Sequence, residues 1–130
     1  CGHLGLTPQS VHRFGGFKVQ GREDAAAAKL REDALAVAEA GAALLVLEGV
    51  PAALAAQITA ASPIPTIGIG AGAGCDGQVL VMHDMLGINT EFKPRFLRRY
   101  LNLDEQITGA IKQYISDVKS KDFPNESESY

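Results

Sequence analysis

Residues 43–48, ALLVLE, decide the fold. Five consecutive apolar residues end on a carboxylate, Glu48. A short continuous apolar run marks a parallel strand covered on both faces, whereas a strand with one wet face alternates. Gly49-Val50-Pro51 then breaks the chain. Pro51 suits the first position of a helix, which residues 52–61 continue. Pro63 and Pro65 stop that helix, and residues 66–70 (TIGIG) read as the next strand. Gly68, Gly70, Gly72 and Gly74 form a glycine cluster, followed by Asp76-Gly77. Residues 78–82 (QVLVM) read as a third clear strand, ending in His83-Asp84.

In the other direction, residues 23–40 are rich in alanine and charge. Leu30, Ala34, Val37 and Ala38 fall at i, i+4, i+7 and i+8, the stripe of an amphipathic helix. Glu23 and Asp24 suit its positive N-terminal end, and Gly41 suits its C-cap. Residues 7–22 carry Pro8, Gly15-Gly16 and Gly21 with no sustained period. Connections of that length tend to be functional. Residues 1–6 (CGHLGL) read as the stub of a further buried strand.

Strands alternating with helices predict an α/β fold with a parallel sheet. His3, Glu48 and Asp84 sit just past or at strand ends, where α/β barrels carry their chemistry. A closed (β/α)8 barrel takes about 250 residues. This chain has 130, so half a barrel is expected, with open edges that need a partner. Farther on, residues 90–102 interleave Lys93, Arg95, Arg98 and Arg99 with Phe92, Phe96 and Tyr100. Asp104 suits the cap of a last helix, whose stripe is Ile107, Ala110, Ile111, Tyr114, Ile115 and Val118. The expected organisation is residues 1–103 as barrel strands and helices, 104–120 as a C-terminal helix, and 121–130 as a polar tail. There are no internal repeats.

The apolar fraction is 46% and the charged fraction 21%, which places the chain among ordinary globular domains. Twelve basic against fifteen acidic residues argue against a nucleic-acid footprint. No apolar run reaches the roughly 18 residues of a membrane span, and no signal segment opens the chain. Cys1 and Cys75 are too few for a disulfide scaffold, so a reducing, cytoplasmic compartment is expected. The first residue is Cys1, not Met, and the expectation is a chain that begins inside a longer one.

Glu48 is the sharpest chemical candidate. A carboxylate that ends an apolar strand is costly to bury unless it meets a cleft, a partner or a metal. It reads as a general base or metal ligand; the alternative is a strand-end glutamate paired with Lys or Arg. His3 reads as a pocket-lining residue, or as a structural histidine bonded to backbone. His12 reads as an exposed loop residue. A site role and a capping role stand level for Asp84. The run Gly68-Ile69-Gly70-Ala71-Gly72-Ala73 matches G-x-G-x-x-A, but too few residues follow for the helix a dinucleotide site needs. The glycines instead read as close backbone packing. The basic residues of 93–100 read as a solvated face with aromatic rings docked inward, or as an anion or partner site. Cys75 lacks neighbours at zinc-ligand spacing.

The segments GHLGLTPQSV, FGGFKVQGR, LLVLEGVP, IPTIGIGAG and DGQVLVMHDMLG, in that order, resemble the C-terminal half of the ketopantoate hydroxymethyltransferase family. The likeness runs from residue 2 to about residue 100, and weakly into the last helix. It implies a (β/α)8 barrel that assembles into a homo-oligomer, typically a decamer. It implies transfer of a hydroxymethyl group from 5,10-methylenetetrahydrofolate to the α-keto acid 3-methyl-2-oxobutanoate. The product, 2-dehydropantoate, leads to pantothenate. The resemblance assigns the general base to the glutamate of LLVLE, Glu48, and implies a Mg2+ ion that chelates the keto acid. The family's metal-binding carboxylates, with the serine and lysine that hold the substrate, lie on earlier strands. No metal ligand is therefore expected in this chain. The N-terminal half is the expected partner, and without it turnover is not expected. Gly49 stands where the family often has Cys, a change that keeps the backbone position. Two other readings remain: a catalytically silent half-barrel used only in assembly, and a different Mg2+-dependent barrel enzyme acting on α-keto acids.

Overall fold

The computed structural model describes residues 1–130. The chain divides into two compact units, Cys1–Leu80 and Val81–Tyr130.

The first unit alternates strand and helix. Strand β1 is Gly2–Gly5, helix α1 Asp24–Glu39, β2 Leu45–Glu48, α2 Ala52–Ala61, β3 Thr66–Ile69 and β4 Gly77–Gln78. The four strands form one sheet in the order β1-β2-β3-β4, and every pair is parallel. An order that never reverses is the winding of a barrel wall; a doubly wound sheet reverses at a switch point. Both helices pack on one face, α1 against β1, β2 and α2. The unit is therefore α/β of the half-barrel class.

The apolar run of β2 explains the core. Leu45 and Leu47 are fully buried and meet Ala34 of α1 and Leu54, Ala55 and Ile58 of α2. Each such side chain contributes about 1.5–3 kcal/mol on burial. Val46 and Glu48 alternate to the other face and are half-buried. Register puts His3 beside Val46 and Ile67, and Gly5 beside Glu48 and Ile69. That face carries no helix of the unit.

Helix α1 has Glu23 at its N-cap and Ala40, not the expected Gly41, at its C-cap, while α2 spans the expected residues. Pro51 serves α2 as N-cap, not as its first helical residue. The chain's opening residues form a full four-residue strand, and the expected strand at residues 78–82 is the stub instead. Gly77 pairs with Ile67 and Gln78 with Gly68. Since β3 ends at Ile69, the partner's bonding groups are nearly exhausted after two pairs. The chain then turns into a short helix, α3, Met82–Met85.

Residues 70–76 make the β3–β4 crossover without a helix. They lie flat on α2. A Cβ on Gly72, whose φ is +78°, would come within 2.5 Å of the Ala52 Cβ. The glycines thus permit close packing on α2, as the sequence reading preferred.

In the second unit, α4 spans Leu103–Ser120, with Asn102 and not Asp104 at its N-cap. Its apolar stripe is present but unburied: Ile107, Ile111, Tyr114, Ile115 and Val118 all stay exposed. Tyr114 meets Phe123 edge to face, ring centroids 5.5 Å apart. Phe92, Phe96 and Tyr100 are exposed as well, against the expectation of rings docked inward. The unit has no buried aliphatic cluster to receive them. Glu126–Glu128 forms a 3-10 turn closed by an Asn125 capping box.

Candidate functional site

Parallel strands place equivalent residues side by side, so β1 and β2 bring their odd chemistry together. Glu48 ends β2, and His3 lies one pleat back on β1 on the same face. His3 Nε2 and Glu48 Oε2 are 3.0 Å apart. The two side chains retain 32% and 23% of their exposure, so the pair is shielded but reachable. Glu48 Oε1 has no hydrogen-bond partner in the chain. The neighbours on this face, Val46, Ile67 and Ile69, are apolar. The geometry is a carboxylate with one oxygen engaged and one free, on the side of the sheet that the helices leave open.

The backbone around Glu48 is pinned from three sides. Leu6 N–H donates to the Glu48 carbonyl at 2.7 Å, Gly49 N–H donates to Ile69 at 2.9 Å, and Gln20 N–H donates to the Gly49 carbonyl at 2.8 Å. Gly49 thus uses both of its backbone groups, and the role asks nothing of a side chain. A base held on a rigid strand end keeps its aim better than one on a free loop. The long connection of residues 7–22 earns part of its length here, since its far end returns through Gln20 to the Glu48 turn.

At the other end of the strands, the exposed Asp76 straps the crossover to β3. Its Oδ2 accepts from Thr66 N–H at 2.8 Å and from Thr66 Oγ1 at 3.1 Å. The Thr66 backbone N–H, and next its hydroxyl, hold the Asp76 carboxyl below the usual carboxylate range. Thr59 Oγ1 joins Thr66 Oγ1 at 2.8 Å. The sequence reading passed over this strap; the available signal was an Asp-Gly pair between the glycine run and a strand.

His12 is exposed on the β1–α1 connection, as expected. His83 and Asp84 belong to the second unit, where His83 is exposed and Asp84 is buried. Asp84 Oδ1 accepts from the Asn89 side chain at 3.3 Å. Arg99 clasps its own loop through Nη2, which donates to the carbonyls of Asn89, Thr90 and Phe92. Cys1 and Cys75 are both free thiols. A cleft of the first unit, about 360 Å³, lies between the β1–α1 connection and α1 and is lined by Arg13, Phe14, Lys29 and Asp33 among others, but by neither His3 nor Glu48.

No three His, Cys, Asp or Glu side chains converge as metal ligands. Mg2+ prefers an octahedron of oxygens. One carboxylate, already engaged by a histidine, does not fit that demand.

A parallel sheet of barrel winding with a half-shielded carboxylate at a strand end defines a class: α/β proteins of the barrel type, whose sites lie at the carboxyl ends of their strands. Within that class the family is settled by comparison, since residues 1–126 match the ketopantoate hydroxymethyltransferase family and the chain belongs to it. Two curated relatives, both named 3-methyl-2-oxobutanoate hydroxymethyltransferase, come from Parabacteroides distasonis and Syntrophus aciditrophicus. They are 64% and 62% identical over 129 residues, which is 99% of this chain and 47% of each relative. The chain spans about half the length of the curated relatives it matches.

Proposed function

We propose that Glu48 is the general base of a hydroxymethyl transfer from 5,10-methylenetetrahydrofolate to 3-methyl-2-oxobutanoate, a step of pantothenate biosynthesis. The carrying observation is the arrangement of Glu48 itself: rigid strand end, open face, Oε2 engaged by His3, Oε1 free. Oε1 takes the proton from C3 of the keto acid, and the C3 carbanion equivalent bonds to the methylene carbon of the folate. Water supplies the hydroxyl oxygen. The C3 proton and one proton from water end on the two folate nitrogens, and 2-dehydropantoate and tetrahydrofolate leave.

The Mg2+ of this reading is assigned to carboxylates on the stretch of the relatives that these 130 residues do not span. The 130 residues by themselves are proposed to be silent, because they carry a base without a metal-ligand set. The proposed partners are that remaining stretch and further copies in a homo-oligomer, a decamer by family likeness. The bare apolar stripe of α4 supports a need for such partners. No helix is long and apolar enough to cross a membrane. The cytoplasm is the proposed compartment, in keeping with two free thiols.

The test is a chimera in which this chain replaces the matching stretch of the Parabacteroides distasonis relative. Glu48→Gln is expected to lower kcat about 10²- to 10⁴-fold and to abolish hydrogen–deuterium exchange at C3 of the keto acid. Full turnover by Glu48→Gln would remove the assignment.

A further inference from the structure

We propose that His3 is a positioning residue that dedicates Glu48 Oε1 to proton abstraction; this rests on the reading of Glu48 as the base. From the sequence, His3 reads as a pocket-lining residue or as a structural histidine bonded to backbone. The geometry points elsewhere, because its Nε2 is already committed to Glu48 at 3.0 Å.

A carboxylate only accepts hydrogen bonds, so Nε2 carries the hydrogen and donates it to Oε2. Two consequences follow. The carboxylate rotamer is fixed, which otherwise costs side-chain entropy at the moment of reaction. In addition, the hydrogen bond leaves Oε2 the less basic of the two oxygens, so an arriving proton prefers Oε1. The arrangement depends on how closely β1 approaches β2. Any Cβ on residue 5 would lie 2.2 Å from the Glu48 carbonyl oxygen, so Gly5 is required for the Leu6–Glu48 bond that seats the strand end. With β1 seated, the imidazole two residues back reaches forward to the carboxylate. Val46, Ile67 and Ile69 beside it offer no competing donor, and the side-chain hydrogen bond on Glu48 is that of His3.

The experiment uses the same chimera with His3→Phe, which fills the ring volume without a donor, and His3→Gln, whose amide restores an N–H at similar reach. His3→Phe is expected to lower kcat about 10- to 100-fold, the range for losing a hydrogen bond to a charged group, with KM for the keto acid within about threefold. His3→Gln is expected to recover most of kcat. On a Glu48→Gln background, His3→Phe is expected to cost nothing further, because the two residues act as a unit. Equal losses in Phe and Gln variants, no loss in either, a rise in KM that accounts for the loss, or additivity with Glu48→Gln would each overturn the role. Deuterium exchange at C3 separates the two layers. If Glu48→Gln leaves exchange intact, the base assignment itself fails. If Glu48→Gln abolishes exchange and His3→Phe leaves it unchanged, only the role of His3 falls.

Discussion

Leu47→Ala and Val46→Ala alter neighbours on one strand but report on opposite faces of the sheet. Leu47 is fully buried against α1 and α2. Its truncation removes about three methylene equivalents, near 2.4 kcal/mol of transfer energy, and leaves a cavity between two helices. The expected cost in the 130-residue chain is about 3–5 kcal/mol. Val46 is half-buried on the helix-free face, so losing two methyl groups there is expected to cost about 0.5–1 kcal/mol. If the remaining stretch of the family protein covers that face, the second number changes and the first does not. In the chimera, Val46→Ala is expected to rise to about 2 kcal/mol or more, from roughly 1.6 kcal/mol of transfer plus a cavity. Urea titration of four proteins against their parents reads all of this from the midpoints. An equal cost of Val46→Ala in both settings would refute the claim that this face is the one completed in the longer protein. A cost of Leu47→Ala no larger than that of Val46→Ala in the short chain would refute the assignment of faces.

Further outcomes concern the crossover and α4. The Asp76 strap is complete above the unfolded carboxylate range, about pH 3.9, and is lost as pH falls through the lower folded value. Melting temperature against pH should therefore drop more steeply in acid for the parent than for Asp76→Asn, and the two curves should converge there; parallel curves would contradict the strap. Gly72→Ala should destabilise by about 1–3 kcal/mol, since the new methyl meets Ala52 from a left-handed backbone. Gly109→Ala is the control: it lies inside α4 with open space around it and should gain about 0.5–1 kcal/mol in the same titration.

What the sequence revealed, and what it hid, follows from which forces are local. The β2 run, the α1 stripe and the proline-bounded α2 were all legible, because each is written in consecutive residues. Glu48 was legible for the same reason: a charge that ends an apolar run is costly and therefore conspicuous. The length of β4 was not legible. Residues 78–82 have strand composition throughout, but the pairing partner β3 ends two pairs in, and only tertiary register reveals that. The His3–Glu48 bond was equally invisible, since it joins residues 45 apart through a register fixed by Gly5. The rings of residues 92–100 went the other way. Their composition suggested a docked face, but the second unit has no apolar cluster on which to dock them.

With Glu48 as the proposed base, the two faces of the sheet divide stability from chemistry, and that division limits where each kind of substitution can act. The helix-covered face holds the buried leucines and admits a polar group only where it is hydrogen-bonded, as Thr66 is to Thr59 and Asp76. The open face carries the Glu48 carboxylate, which one histidine partner and partial exposure make tolerable. The backbone bonds from Leu6, Gln20 and Gly49 tie the two requirements together, because they fix the strand end on which both depend. A substitution that loosens those bonds, such as filling Gly5, should therefore lower activity and stability together. One that removes only the His3 donor should lower activity alone. The ratio of the two losses, measured across such variants, separates a base held by its own hydrogen bond from one held by the fold.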